Sequence, residues 1–174
     1  MPNTELLKVS IDAMGGDNAP AIPVEGAIQA AKNGLAEVFI VGDKEPVEQE
    51  LAKHDTKNLP IHFVASEGKI EDDEAPALAL RQKPTASILV ATNLVKTGTT
   101  NAVISMGSTG GTMAAAVVLL GTIKGIERPA IGGPIIGAAP NQTILDLGSN
   151  LDLSLIHISE PTRRTPISYA VFCL

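Results

Sequence analysis

Cysteine and aromatic residues are scarce in this 174-residue sequence, which has one cysteine, no tryptophan, one tyrosine and three phenylalanines. A single cysteine excludes an internal disulfide framework. No spacing of cysteine, histidine and carboxylate side chains indicates a metal, so we expect no metal site. No apolar run is long enough to span a bilayer, and the first residues do not form a signal-peptide pattern. We therefore expect a cytoplasmic protein.

Basic residues are also few, since the sequence has 13 basic and 19 acidic residues and a net charge of −6. A nucleic-acid-binding protein is more often basic, so this class is disfavoured. A hydrophobic content of 44% with 18% charged residues is typical of a globular chain. The length is sufficient for one domain with a substantial core.

Residues 153–174 differ in composition from the rest of the chain, since they contain the only cysteine, Cys173, and the only tyrosine, Tyr169. Their segment LSLIHISEPTR resembles the translation of a sequencing adapter that is read through in frame. We therefore interpret residues 1–152 as the N-terminal part of an α/β domain and residues 153–174 as a non-native tail. The alternative is a genuine C-terminal strand or tail.

The stretch from Val103 to Met113, VISMGSTGGTM, combines a short buried strand, a glycine-rich turn and a helix start. Gly107 and Gly110 allow the backbone to approach a ligand closely, and Ser108 or Thr109 can cap the helix. A helix N-terminus presents unpaired N–H groups and partial positive charge, which suit an anion such as phosphate. The alternative is a strand-to-helix turn without a ligand, because loose glycine motifs are not specific. Neither the Walker pattern nor the dinucleotide fingerprint is present.

Short apolar runs alternate with segments of helical periodicity along the chain. Strands are predicted at 8–11, 38–41, 61–64, 103–104 and 144–147, and helices at 23–33, 46–53, 75–80, 87–96 and after Ser108. Pro23 is expected at the first position of the first helix, and Gly34 at its end. Strands without polar alternation predict an α/β fold, a mostly parallel sheet with helices on both faces, here incomplete.

Four polar, glycine-bearing loops follow the predicted strands. In a parallel α/β sheet, ligands bind beyond the carboxyl ends of the strands. The loops are therefore expected to meet at one edge and to form a phosphate-type site. They are Asp12–Gly16, Gly42–Asp43, Ser105–Gly111 and Asp146–Gly148.

Six motifs carry a resemblance to a known family: IDAMGGDNAP, EAPALALRQK, LVKTG, ISMGSTGG, GIERPA and LDLGSN, in this order over about residues 8–152. They closely resemble the bacterial phosphate acyltransferases of phospholipid synthesis. The resemblance implies transfer of a fatty acyl group from acyl-carrier protein to inorganic phosphate, without a cofactor. It also implies a fold similar to phosphotransacetylases and isopropylmalate-type dehydrogenases, and a homodimer for the intact protein. Peripheral membrane association stays open.

Some positions depart from the family pattern. Ser108 stands where relatives usually carry Asn, Gly111 and Ser149 where they often carry Ala, and Leu89 where many carry a basic residue. A serine can still donate to phosphate or cap a helix, so Ser108 bears on the role of that position more than on the family assignment. Because the resemblance ends near Asp152, we expect the 174-residue chain itself to be inactive, with an unpaired sheet edge.

Acyl transfer to phosphate needs a bound phosphate, a positioned thioester and donors for the developing oxyanion. Ser108 and Asp12 are the catalytic candidates. Two carboxylates in one loop would repel phosphate, so Asp12 or Asp17 is expected to orient N–H groups or a basic side chain. A purely structural role for Asp12 is an equal alternative. The expected phosphate- and substrate-binding residues are Gly15, Gly16, Asp17, Gly107, Thr109, Gly110, Arg81 and Lys83.

Arg81 and Lys83 are candidate countercharges for phosphate or for the acidic carrier protein. The alternative for both residues is a solvated helix face. Two other functions stay open for the whole chain: a phosphotransacetylase that acts on coenzyme A thioesters, and a non-catalytic module that binds phosphometabolites. Carrier-protein and coenzyme A substrates separate the two enzymes, and phosphate binding without turnover would indicate the module.

Overall fold

Strands and helices alternate in the computed structural model, which describes residues 6–126, 129–134 and 143–145. The chain divides into two compact units, residues 1–119 and 120–174. Across the described residues, no helix has the length and apolar character needed to cross a membrane. The elements are β1 Lys8–Asp12, α1 Ala21–Lys32, β2 Glu37–Asp43, α2 Lys44–Leu51, β3 Ile61–Ser66, α3 Pro76–Gln82, α4 Ser87–Lys96, β4 Ala102–Ser105, α5 Thr109–Leu119, β5 Gly132–Pro134 and β6 Thr143–Leu145.

The first unit is built on a four-stranded parallel sheet with the order β3-β2-β1-β4. Successive side chains of a strand point to opposite faces. Val9 and Ile11 of β1 accordingly pack against the apolar cluster that contains α1. Ser10 faces α4 instead, where its hydroxyl donates to the carbonyl of Ala91 at 2.9 Å. The predicted α/β fold with a parallel sheet and helices on both faces is therefore confirmed.

Two apolar clusters cover the two faces of the sheet. The first joins α1 and α2 to β2, and its fully buried members include Val24, Ile40 and Val47. The second joins α3, α4 and α5, with Leu80, Ile88 and Ala115 among its buried residues. Burial of one large apolar side chain stabilises the fold by about 1.5–3 kcal/mol, so the two clusters stabilise the sheet from both faces.

Strand β4 was expected to be buried, and this expectation was wrong. In the described sheet β4 pairs with β1 alone, so it is an edge strand, and Ile104 is 46% exposed. A short apolar run shows that a segment is a strand, but its place in the sheet depends on pairing across the chain.

The predicted position of Pro23 was also wrong, because α1 begins at Ala21 and Pro23 is its third residue. The N–H groups of the first helical turn have no acceptor within the helix. Proline, which lacks this N–H, is therefore tolerated at Pro23 as well as at the first position.

In the second unit, β5 and β6 form an antiparallel two-stranded sheet in which Gly133 is opposite Ile144. A strand near residue 144 is thus confirmed, but its expected place in a parallel sheet was wrong. Antiparallel pairing needs only a hairpin-like return of the chain, whereas parallel pairing needs a crossover. The predicted loop Asp146–Gly148 lies outside the described residues.

Candidate active site

The carboxyl ends of β1 and β4 are joined by a hydrogen bond between side chains. Asp12 and Ser105 are opposite each other in the parallel register, and the Ser105 hydroxyl donates to Asp12 Oδ2 at 2.7 Å. The Met14 N–H donates to the other oxygen, Oδ1, at 3.1 Å. Asp12 is only 4% exposed, and both of its oxygens are hydrogen-bonded within the protein. Its carboxylate therefore fixes the two loops relative to each other.

Ser105 extends this connection into the glycine-rich turn. Its Oγ accepts a hydrogen bond from the Gly107 N–H at 3.1 Å while its O–H donates to Asp12. A hydrogen bond to a carboxylate is shorter and stronger than one between neutral groups. The chain Asp12–Ser105–Gly107 thus holds the turn in one orientation.

The loop after β1 packs directly against the backbone of this turn. A Cβ atom on Gly15 would lie 2.7 Å from the Gly107 nitrogen and 2.9 Å from Asp12 Oδ2. Gly16 has a φ of +97°, a conformation that favours glycine. Tight packing and a turn conformation therefore account for glycine at both positions, and their predicted role in phosphate binding stays a prediction.

Ser108 caps helix α5, and it is one of the two residues, Ser108 and Thr109, that were predicted as the cap. Its Oγ accepts from the Gly111 N–H at 3.3 Å, and its carbonyl accepts from the Thr112 N–H at 2.9 Å. Within the described part of the chain, the N–H groups of Ser108, Thr109 and Gly110 have no hydrogen-bond partner. These N–H groups and the partial positive charge of the helix form a region that favours an anion.

A small pocket with a cavity volume of about 10 Å³ lies where the two loops meet, and we call it the edge pocket. It brings together several residues predicted for the site, with further residues from the segment after β3 and from α4. Its lining residues are Asp12, Gly15, Lys69, Ile70, Ile88, Ser105, Gly107, Ser108, Gly111 and Thr112.

Lys69, Ile70 and Ile88 were missed by the sequence analysis. Lys69 lies in the acidic stretch between β3 and α3, where a lysine resembles an ordinary surface residue. The rule that ligands bind beyond the carboxyl ends of strands applies equally to β3 and could have identified this segment. Ile88 is a core residue by its helical spacing, and no signal in the sequence indicated its place at the pocket.

Other predicted residues lie beside the edge pocket or away from it. Thr109 and Gly110 are exposed at the start of α5, and a Cβ on Gly110 would lie 2.9 Å from Pro76 Cγ. Asp17 is exposed in the loop after β1. Arg81 is exposed in the last turn of α3 and does not line the pocket.

Lys83, the second expected countercharge, forms an ion pair instead of facing the edge pocket. Its Nζ donates to both carboxylate oxygens of Glu74, at 2.6 and 2.8 Å, and to the carbonyl of Lys69 at 3.1 Å. The hydrogen bonding from Lys83, followed by the hydrogen bond from the Glu71 N–H, holds the pKa of the Glu74 carboxyl below its ordinary value. Lys83 therefore fixes the segment that carries Lys69.

The predicted loop Gly42–Asp43 lies at the same edge of the sheet. A Cβ on Gly42 would lie 3.2 Å from Met14 Sδ, and Asp43 Oδ1 accepts from the Gly68 N–H at 2.7 Å. Three of the four predicted loops thus converge, and the fourth is outside the described residues. No group of three or more histidine, cysteine or carboxylate side chains that could hold a metal occurs in the part of the chain that is described.

The fold that surrounds this site is similar to a solved phosphotransacetylase structure from Streptococcus pyogenes, with a TM-score of 0.59. The two chains share 20% sequence identity over 90% of this chain and 51% of the other. This likeness defines the class as an α/β protein with a phosphotransacetylase-like fold, consistent with the fold that the resemblance implied.

The family model described as "Fatty acid synthesis protein" matches residues 7–161, and the chain belongs to this family. Phosphate acyltransferases of Moorella thermoacetica and Acaryochloris marina are each 46% identical, over 88% and 83% of this chain. That of Geobacter sulfurreducens is 42% identical over 87%. The matched regions make up 45%, 42% and 44% of these relatives, so the chain spans somewhat under half of their length.

The family match extends to residue 161, beyond the boundary predicted at residue 152. Residues 153–174 lie outside the described residues. Their interpretation as a non-native tail therefore stays a prediction.

Proposed function

We propose that the full-length protein transfers an acyl group from acyl-carrier protein to inorganic phosphate. The observation that best supports this proposal is the series of hydrogen bonds Asp12–Ser105–Gly107. These hydrogen bonds fix a glycine-rich turn directly before the N-terminus of α5. Membership of the family and the phosphate acyltransferases among its similar relatives support this class of reaction. The same resemblance supports a cytoplasmic homodimer for the full-length protein.

The reaction that this site would perform is an attack of a phosphate oxygen on the thioester carbonyl carbon. A carbon–oxygen bond forms, the carbon–sulfur bond breaks, and the proton of hydrogen phosphate passes to the departing thiolate. The products are acyl phosphate and free carrier thiol. No protein nucleophile is needed, so binding, orientation and oxyanion stabilisation would supply the catalysis.

Ser108 is suited to contact phosphate directly. Its oxygen already accepts from the Gly111 N–H, and its own O–H has no acceptor among the described residues, so it is free to donate. The neighbouring N–H groups of Thr109 and Gly110 would also donate to phosphate. Two or three such donors at the start of α5 are sufficient to hold an oxyanion.

Asp12 would act as a positioning residue. Both of its oxygens are already hydrogen-bonded, to Met14 N–H and Ser105 O–H, so it is poorly placed to accept a proton from substrate. Arg81, exposed on α3, is a candidate for contact with the acidic carrier protein rather than with phosphate.

The direct test is to incubate the purified full-length protein with acyl-acyl-carrier protein and phosphate, and to trap acyl phosphate with hydroxylamine. Parallel reactions with acyl-coenzyme A separate this function from the phosphotransacetylase alternative. We expect acyl phosphate with the carrier-protein substrate. A folded protein that binds phosphate calorimetrically but forms no acyl phosphate from either donor would contradict the proposal and favour a binding module.

A further inference from the structure

We propose that Lys69 supplies the countercharge for phosphate in the edge pocket, and that the Lys83–Glu74 ion pair positions it. This inference deepens the proposed function and rests on it for the identity of the anion. It assigns to Lys69 the role that the sequence suggested for Arg81 and Lys83.

The charge balance of the edge pocket makes Lys69 necessary. Among the described residues that line the pocket, Lys69 is the only basic one and Asp12 the only acidic one. Asp12 is buried, so solvent screens its negative charge little, and an entering phosphate would be repelled by it. The partial charge of the α5 N-terminus amounts to roughly half a positive charge and does not offset a full carboxylate.

Lys69 can leave its present partner easily. Its Nζ lies 3.2 Å from Glu71 Oε2, and the two side chains are 43% and 50% exposed. An ion pair this accessible to water and salt contributes little to stability. Lys69 can therefore exchange the Glu71 carboxylate for a phosphate oxygen, and Glu71 competes with the ligand for the ammonium group.

The Lys83–Glu74 pair fixes the backbone from which Lys69 projects. Lys83 Nζ bonds at once to Glu74, at 2.6 Å, and to the carbonyl oxygen of Lys69, at 3.1 Å. It thus ties both ends of the segment between Lys69 and Glu74 to helix α3. Because the three donors of Lys83 are occupied by these contacts, Lys83 acts on phosphate through Lys69.

The test measures phosphate binding by calorimetry and the KM for phosphate in the full-length protein. For Lys69→Met we expect phosphate binding about tenfold weaker and KM raised by a similar factor, since one charge-assisted contact is lost. Lys69→Arg should restore most of the affinity. Glu71→Gln should tighten phosphate binding about twofold, because the competing carboxylate is removed. The matched control is Lys96→Met, an exposed lysine in the last turn of α4, which should leave both values unchanged.

The positioning role of Lys83 is tested by a double-mutant cycle. Lys83→Met alone should weaken phosphate binding, but in the Lys69→Met background it should add no further loss. Independent, additive losses would overturn the positioning role, because Lys83 would then contact phosphate itself. Circular dichroism and the thermal midpoint establish that each variant is folded.

The outcomes separate this inference from the proposed function. Normal acyl-phosphate formation with unchanged phosphate affinity in Lys69→Met would overturn the inference and leave the function intact. If phosphate binding depends on Lys69 but the wild-type protein forms no acyl phosphate, the inference is supported and the proposed function is contradicted.

Discussion

Ser105 Oγ lies 2.7 Å from Asp12 Oδ2, and this hydrogen bond joins the ends of two parallel strands that are 93 residues apart in sequence. It connects the loop after β1 to the glycine-rich turn before α5. Because Ser105 also accepts from the Gly107 N–H at 3.1 Å, the orientation of the turn depends on Ser105.

Ser105→Ala should therefore impair both stability and activity. Asp12 would keep its buried charge but lose a donor, which costs roughly 1–3 kcal/mol of unfolding free energy. We expect kcat for acyl-phosphate formation to fall about tenfold to a hundredfold, because the donors of the turn are no longer held in place. Denaturant unfolding and steady-state kinetics of the full-length protein measure the two effects.

The matched control for this variant is Ser10→Ala on the same strand. Ser10 Oγ donates to the carbonyls of Ala91 and Ala102, away from the edge pocket. Its loss should also destabilise the fold while leaving kcat within about twofold of wild type, because no loop of the site depends on it. Equal kcat losses in the two variants would mean that Ser105 acts only through global stability.

Gly15→Ala adds only one methyl group, but it should disrupt the edge pocket. The new Cβ would lie 2.7 Å from a backbone nitrogen, so the two loops must separate. We expect a destabilisation of about 1–3 kcal/mol and loss of phosphate binding. Gly26→Ala, in α1 with no atom within 4 Å of its Cβ, should instead stabilise the protein by up to about 1 kcal/mol. Tolerance of both substitutions would contradict the close packing of the loops.

Ser108→Ala and Ser108→Asn separate capping from hydroxyl chemistry. Alanine removes the cap of α5 and should cost about 0.5–2 kcal/mol, whereas asparagine retains a capping oxygen and should cost little. Phosphate affinity should fall in the alanine variant and be largely kept in the asparagine variant, whose amide can still donate. A capped but inactive asparagine variant would show that the hydroxyl itself is required.

The Glu74–Lys83 pair should make stability depend on pH in the acid range. The pKa of Glu74 is lowered in the fold from 4.5, so its contribution is present above that value and is lost as the pH falls through the lower, folded pKa. The difference in thermal midpoint between wild type and Glu74→Gln should therefore narrow as the pH is lowered below 4.5. A difference that stays constant with pH would mean that protonation of Glu74 is not linked to folding.

Local sequence patterns were enough to predict most of the fold. The helix Ser87–Lys96 was predicted with the bounds that the structure shows, because its apolar spacing and the following Gly98 define both ends. The edge position of β4 was not predictable from local patterns, since it depends on pairing between strands far apart in sequence.

The candidate site was predictable in part for the same reason. Asp12, Gly15, Gly107 and Ser108 follow strands and carry polar or small side chains, so the carboxyl-end rule predicted that they meet. The link through Ser105 and the place of Lys69 arise from distances across the fold, which a sequence pattern does not contain.

The most direct test of the central claim compares acyl-phosphate formation by the full-length protein and by its Ser105→Ala variant, with acyl-acyl-carrier protein and saturating phosphate. We expect the wild type to form one acyl phosphate for each carrier thiol released, and the folded variant to be slower by at least about tenfold. Equal rates in the two proteins, or no acyl phosphate from a folded wild type, would contradict the account.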